Sequence, residues 1–386
     1  MAQSTFRHMR VTGISTVVPA DEIRLQDELQ YFGGDAKKAA RVTKIVGIDK
    51  RRIAPRGVTA ADLCQQAAEN LLTGMGMNRA GIDALVFVSQ MADHFLPTSA
   101  CMLQHKLRLS KTCAAFDVNQ GCSAYVYGLW LAASLIESRA CSRVLLLVGE
   151  SFARLTDVDN RIIAPVFGDC GTATLLEYNE QPSPAWFELG TDGSGAEALM
   201  IPAGGCRLPL PDTAAEYEAL CEILRDPQGT PWRLNRTYMD GGAVFDFTFN
   251  VVPEHLRSLL AYAGKQPDDI DRLVLHQANK QIMQAIAEKS GFALEKTPMD
   301  TFSTYGNQAG ASIPSAICHM LADELAAGPK TLLLTGYGVG LSWASAVLAL
   351  DSPWCSGIRD YVMPPDHETP EQFYARWKKK ITGQKS

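Results

Sequence analysis

The sequence predicts an α/β protein of two similar halves that pack their most apolar helices together between two sheets, and three observations predict it. Apolar strand-like runs alternate with helical patterns through roughly the first 180 residues. From Ala124 to Ile136 every residue is apolar or small except Ser134, so that helix has no face for water and must lie inside the protein. Landmarks of the first half then recur in the second. Ile82-Asp83 before a strand returns as Ile270-Asp271, and Asn119-Gln120 before the buried helix returns as Asn307-Gln308, both 188 positions on. LLLVG ending at Gly149 returns as LLLTG ending at Gly336, 187 positions on. One echo would mean little; three in order, each in the same context, mark a duplicated unit.

The elements follow in chain order. Met9–Val18 reads as a strand and the polar region Asp21–Lys44 as helical, while Gly47–Arg52 reads as a solvated turn with a basic cluster. Thr59 caps an amphipathic helix, Ala60–Met75, with Leu63, Ala67, Leu71 and Leu72 on one face. The strand Ala84–Gln90 precedes a helix opened by Pro97 and running to Leu107. Ala114–Val118, the turn Asn119–Gly121, a helix opening at Cys122 and the strand Val144–Val148 come next, then a turn at Gly168–Gly171 and the strand Thr172–Tyr178. In the second half Leu273–Leu275 is a strand, and Ala311–Leu321 is a second small-residue helix that tolerates Pro314 because it falls in the first turn. The domain organisation expected is a half carrying the nucleophile (residues 1–180), a Gly- and Pro-rich connection with one short helix at Thr213–Leu224 (181–236), a half carrying His and Asn (237–354), and a tail (355–386). In that tail Thr369, Pro370 and Gln372 form a helix start with a capping box, and Phe373, Trp377 and Ile381 form its apolar stripe.

With 46% hydrophobic and 20% charged residues, the 386-residue chain has ample core for two to three domains. A net charge of −6 gives no electrostatic case for nucleic acid as a partner. The N-terminal MAQSTFRHMR lacks the apolar stretch of a signal peptide, and no run of about 18 apolar residues predicts a membrane span. Ten scattered cysteines without CxxC or zinc-like spacing read as reduced thiols in a cytoplasm, with no metal expected.

Cys122 stands where a strand hands over to a buried helix, and there the unpaired N–H groups and the positive end of the macrodipole favour a thiolate. A packed core cysteine is the plainer reading of the same position. The repeat adds information, because the counterpart of Cys122 is Gly310 and that of Asn119 is Asn307. If the halves are related by a pseudo-twofold axis, both helix starts face one crevice, and His276 at a strand end points into it. A thiolate to attack a carbonyl, an imidazole to handle protons and an amide to bind developing negative charge form a coherent set. The order Cys…His…Asn also occurs in papain-like hydrolases; the mid-chain cysteine and the internal repeat argue against that reading.

GCSAYVYGL around Cys122, LHQAN around His276, YGNQAGASIPSA around Asn307 and GYGVGLSW at 336–343 resemble the thiolase-fold condensing enzymes, most closely β-ketoacyl-acyl carrier protein synthase III, from about Met9 to Leu350. The resemblance implies a five-layer αβαβα fold, a homodimer, and a decarboxylative Claisen condensation in which Cys122 carries the acyl primer and His276 and Asn307 hold the enolate oxygen of a malonyl thioester. It implies no cofactor, with acyl-coenzyme A or acyl carrier protein thioesters as substrates. The backbone N–H groups of Cys122 and Val339 match the family's oxyanion hole, Asn279 matches a residue that contacts the pantetheine arm, and Arg161 an adenine-side arginine. Leu96 matches the residue that the partner subunit inserts at the floor of the acyl pocket; leucine there implies primers longer than acetyl.

Several positions depart from the family. Val339 replaces the middle glycine of its G-x-G-G-G loop, Arg41 and Ile45 stand where coenzyme-A-using members place Trp and Arg, and Asp246 stands where carrier-binding members often have lysine. Gln90 occupies the position of the glutamate of 3-hydroxy-3-methylglutaryl-coenzyme A synthases, and Gly336–Trp343 lacks the second cysteine of thiolases. The alternatives are an acyltransferase that passes the Cys122 acyl group to a small nucleophile, and a partner subunit of a heterodimeric synthase.

Overall fold

Ala84–Val88 is apolar and buried along its whole length, as a central parallel strand must be. It pairs in parallel with Ala114–Val118 on one side and Arg143–Glu150 on the other. In the computed structural model, which describes residues 2–383 apart from the side chain of Ile45, these strands belong to a six-stranded sheet. Its order is Trp354–Asp360, Met9–Val18, Cys170–Tyr178, Arg143–Glu150, Ala84–Val88, Ala114–Val118. A five-stranded sheet runs Ala2–Phe6, Ala185–Thr191, Ser342–Leu350, Lys330–Gly338, Arg272–Leu275. Without the outermost added strands, the two sheets share one connectivity. The counterpart of Ala114–Val118 is missing from the second, because the corresponding stretch is the short helix Asp300–Tyr305.

The helices divide among three layers. Ala60–Gly74 and Ser99–Lys106 pack outside the first sheet, and Gly241–Ala263 and Lys280–Lys289 outside the second. Between the sheets lie Ala124–Glu137 and Ser312–Met320, whose Ala124, Leu129, Ala133, Ile313, Ala316 and Ile317 share one core with inward-facing residues of both. No residue of Ala124–Glu137 is exposed, as its lack of a polar face requires. The result is the five-layer α/β arrangement. Both buried helices start 188 residues apart, at Ala124 and Ser312.

The structure corrects several expectations. Val144, Leu146 and Val148 face the inner layer, and so do Leu332 and Leu334, so the offset is 188 here too; LLLVG and LLLTG match in letters at 187 but face opposite ways. Asp21–Lys44 is not one helix. Gly33 and Gly34 adopt left-handed φ of 64° and 80° and divide it into a short strand, two 3-10 turns and a helix, Ala36–Val46. The basic cluster is not solvated throughout: Lys50–Arg52 is a strand paired with Glu22–Arg24, and Arg51 is buried against the carboxylate of Glu28. Such a charge enters the interior only with its partner. Within 181–236, Ala185–Thr191 is a strand of the second sheet, and Trp354–Asp360 extends the first sheet past the end of the repeat. The tail helix spans Pro370–Thr382, with the capping box of Thr369 and Gln372 formed.

Candidate active site

A cavity of about 680 Å³ opens where the two buried helices start, and Cys122, His276 and Asn307 all line it. The regular helix begins at Ala124, two residues later than the sequence suggests, with Ser123 as its cap and Cys122 in the turn before it. Burial pushes the Cys122 thiol up to about 11. The backbone N–H groups of Val339 and of Cys122 itself face the sulfur and pull the other way, while Glu150 adds a smaller upward push. The expected preference for thiolate is therefore reversed by burial. A helix terminus contributes about 0.3–2 kcal/mol, whereas full burial can shift a pKa by about 3–5 units.

Room for the thiol depends on Gly338, where φ is +153° and an added Cβ would lie 2.8 Å from Cys122 Cβ and 2.9 Å from Sγ. The bulk of Val339 is accommodated in the same way, because its Cγ1 lies 2.2 Å from where a Cβ on Gly121 would be. Gly310 lets the helix starts meet: a Cβ there would lie 2.6 Å from Ala124 Cβ and 2.7 Å from the Gly121 carbonyl oxygen.

His276 follows directly on the strand Arg272–Leu275, and its N–H donates to the Thr335 carbonyl at 2.7 Å. Tyr337 Oη donates to the His276 carbonyl at 3.1 Å and its ring packs edge-on against the imidazole. Nδ1 lies 2.7 Å from Ser312 Oγ, and the Gln277 N–H donates to that same hydroxyl at 3.2 Å. Burial lowers the imidazole to about 4, partly offset by the Ala309 carbonyl, so the ring is neutral at pH 7.

Asn307 is held by its backbone, donating to the Val166 carbonyl at 2.9 Å and accepting from the Gly168 N–H at 3.0 Å. Its Oδ1 accepts the Ala309 N–H at 2.9 Å, which leaves the amide NH₂ as the uncommitted end. Ala309 itself has φ +43°, a left-handed conformation that alanine rarely adopts.

Asn279 and Arg161 also line the cavity. Asn279 caps the helix Lys280–Lys289, accepting the Ile282 N–H at 2.8 Å, so its oxygen is committed to structure. Arg161 is exposed and shares the lining with Lys38 and Arg41, while Asp246 is exposed and does not line the cavity. Leu96 lies outside the cavity with 82% of its surface exposed. The side chain of Ile45 lies outside the described residues. Sequence reasoning missed the Ser312 contact, Lys38, and the apolar wall that Tyr31, Phe32, Ile48 and Ile162 bring from two distant segments. Only the position of Ser312, the first residue of the second buried helix, could have signalled any of these.

Just beneath, Glu150 faces the inner layer at the end of its strand. Burial pushes its carboxyl up to about 8; Oε1 accepts the Gln90 N–H at 3.3 Å, and Oε2 has no hydrogen-bond partner. Gln308 is fully buried with both amide atoms unpartnered.

Residues 116–193 match the family described as 3-oxoacyl-[acyl-carrier-protein (ACP)] synthase III, and residues 260–350 match its C-terminal part. A Campylobacter jejuni protein named as a 3-oxoacyl-[acyl-carrier-protein] synthase 3 is 33% identical over 364 residues, covering 93% of this chain and 99% of that protein. The crystal structure of 3-oxoacyl-(acyl-carrier protein) synthase from Burkholderia xenovorans LB400 is 36% identical with a TM-score of 0.85, covering 93% of this chain and 99% of that one. The synthase III structure from Pseudomonas aeruginosa PAO1 is 26% identical with a TM-score of 0.74, covering 93% of this chain and 100% of that one.

Proposed function

The chain belongs to the 3-oxoacyl-[acyl-carrier-protein] synthase III family, and on that footing we propose that Cys122, His276 and Asn307 are its catalytic residues. The reaction is a decarboxylative condensation of a cysteine-bound acyl primer with a malonyl thioester, giving a β-ketoacyl thioester and CO₂. The observation that carries the residue assignment is that one cavity is lined by all three side chains, Cys122 from the first half and His276 and Asn307 from a strand end and a turn more than 150 residues further along the chain.

In the first half-reaction Cys122 Sγ attacks the thioester carbonyl of the primer, and the departing carrier thiolate takes the proton that Cys122 loses. In the second, the bond between the malonyl methylene and its carboxylate breaks, CO₂ leaves, and the electron pair forms an enolate. Its oxygen receives N–H donors from His276 and from the Asn307 amide. The enolate carbon then attacks the acyl-cysteine carbonyl, whose oxyanion faces the N–H groups of Cys122 and Val339. Collapse breaks the carbon–sulfur bond and expels the Cys122 thiolate, which takes a proton from solvent to return to the thiol. A neutral imidazole suits this role, since it donates a hydrogen bond without first taking a proton.

An acyl carrier protein supplies the malonyl group, and Lys38, Arg41 and Arg161 offer cationic partners for a phosphorylated carrier arm. Asn279 contacts that arm through its amide NH₂. The chain acts as a cytoplasmic homodimer in which Leu96 of one subunit closes the acyl pocket of the other. The open edge of Ala114–Val118 and the protrusion of Phe95 and Leu96 support that association. No helix among the described residues is long and apolar enough to cross a membrane.

The test is intact-mass spectrometry after incubation with acyl-coenzyme A or acyl-carrier thioesters, followed by malonyl thioester and CO₂ measurement. The expected result is an acyl adduct that is absent in Cys122→Ser and is consumed with CO₂ release. An adduct consumed by an alcohol or amine without CO₂ would instead make the protein an acyltransferase, and no adduct from any thioester would remove Cys122 as nucleophile.

A further inference from the structure

The condensation reaction gives no role to the C-terminal helix, Pro370–Thr382. It has a complete capping box, yet none of its residues is buried. Pro370 packs at Gly57, and Phe373 stacks on His94 with ring centroids 5.6 Å apart. Beyond these points Tyr374 and Ile381 are 69% and 78% exposed, and Trp377 is exposed on the same face. A helix of 13 residues is marginal alone in water. Its apolar stripe therefore needs a surface that its own chain does not supply.

The neighbours of the helix indicate which surface. His94 directly precedes Phe95 and Leu96, which are 92% and 82% exposed, the largest apolar protrusions on the described surface. Next to this loop the Ser99 and Ala100 N–H groups donate to Asp117 of Ala114–Val118, the strand that ends the six-stranded sheet with one side unpaired. An unpaired sheet edge, two protruding apolar side chains and the foot of the helix thus adjoin one another. Charge agrees. Residues 367–386 contribute +3 to the net −6 (Arg376, Lys378, Lys379, Lys380 and Lys385 against Glu368 and Glu371), which leaves −9 on the rest of the chain.

We propose that Pro370–Thr382 is an arm that docks through Tyr374, Trp377 and Ile381 on a second copy of this chain, extending the seam at which Phe95 and Leu96 protrude. This rests on the homodimer reading given above. The apolar stripe is buried against the partner, and the basic face meets that partner's net-negative body.

Sedimentation equilibrium of the full-length protein over a concentration series, with Tyr374→Asp/Ile381→Asp for comparison, tests the arm. Both sites are exposed, so the double variant keeps its own fold. The expected result is a wild-type dimer whose dissociation constant rises at least tenfold in the variant, with a photo-crosslinking side chain at position 377 giving a product of twice the chain mass. A wild-type dimer unchanged in the variant, with position 377 crosslinking only within the chain, would overturn the arm and leave the homodimer standing. A wild type that is monomeric throughout would overturn both. Capture of anionic vesicles, or of an acidic carrier protein, that is lost in the variant while dimerisation is untouched would overturn the second copy as the occupant.

Discussion

His276 and Ser312 are 2.7 Å apart, and that contact bears on how the imidazole presents itself to substrate. The Ser312 hydroxyl already accepts the Gln277 N–H, so its own proton is available to Nδ1, an arrangement that puts the ring proton on Nε2, the nitrogen without a side-chain partner. Ser312→Ala should lower condensation turnover by roughly 10- to 100-fold, the scale of a catalytic group set slightly out of place. Acylation of Cys122, read by intact mass, should persist, and Ser312→Thr should restore most of the turnover. Loss of both steps together would mean that Ser312 serves the fold rather than the imidazole. Cys122 supplies a second test. Its thiol is held protonated to about 11, so alkylation by iodoacetamide should accelerate steadily from pH 7 to 10. A rate that levels off near neutrality would restore the thiolate that helix-dipole reasoning favours.

The two buried helices matter as a pair, because they meet at their first turns. Gly310 is the counterpart of Cys122 in the second half, and the lack of a side chain there lets Ala124 and the Gly121 carbonyl approach it. Gly310→Ala pushes a methyl into both and should cost about 1–3 kcal/mol in denaturant unfolding. Because the displaced turn carries Cys122, the rate of acyl-adduct formation should fall as well. Gly338→Ala separates the two effects, since its Cβ would strike the thiol itself. Adduct formation should be lost in that variant even where circular dichroism shows a retained fold.

At the scale of the whole molecule, buried titratable groups between the layers set the pH range of stability. Glu150 holds its proton to about 8 in the folded chain and to about 4.5 unfolded. The native state therefore binds more protons between those values, and stability falls as pH rises through that window. Asp169, pushed up to about 6, acts in the same sense over a lower range. His276, lowered to about 4, acts oppositely: below its unfolded value of 6.5 the unfolded chain takes up a proton that the native state refuses. Glu150→Gln keeps the shape and removes the titration. It should raise the melting temperature at pH 8 while leaving it little changed at pH 4.5, a gain on the order of 1–3 kcal/mol. Equal melting temperatures at pH 8 would show that Glu150 has another partner when ionised.

The sequence by itself determined the duplicated α/β layout, the inside position of Ala124–Glu137 and the meeting of Cys122, His276 and Asn307 at one crevice, because period, composition and repeat spacing can be read along the chain. It also contained the tail helix cap, which needs only Thr369, Pro370 and Gln372 in succession. The tertiary structure decided the protonation states. The same cysteine reads as a thiolate beside a helix start and as a thiol once the sheets close over it, because desolvation depends on everything packed around the group. It likewise decided that Arg51 is buried on Glu28, that Ala185–Thr191 joins the second sheet, and that Tyr31, Phe32 and Ile162 form one wall. These are contacts between segments whose spacing in the chain carries no period, and only folding brings them within reach of one another.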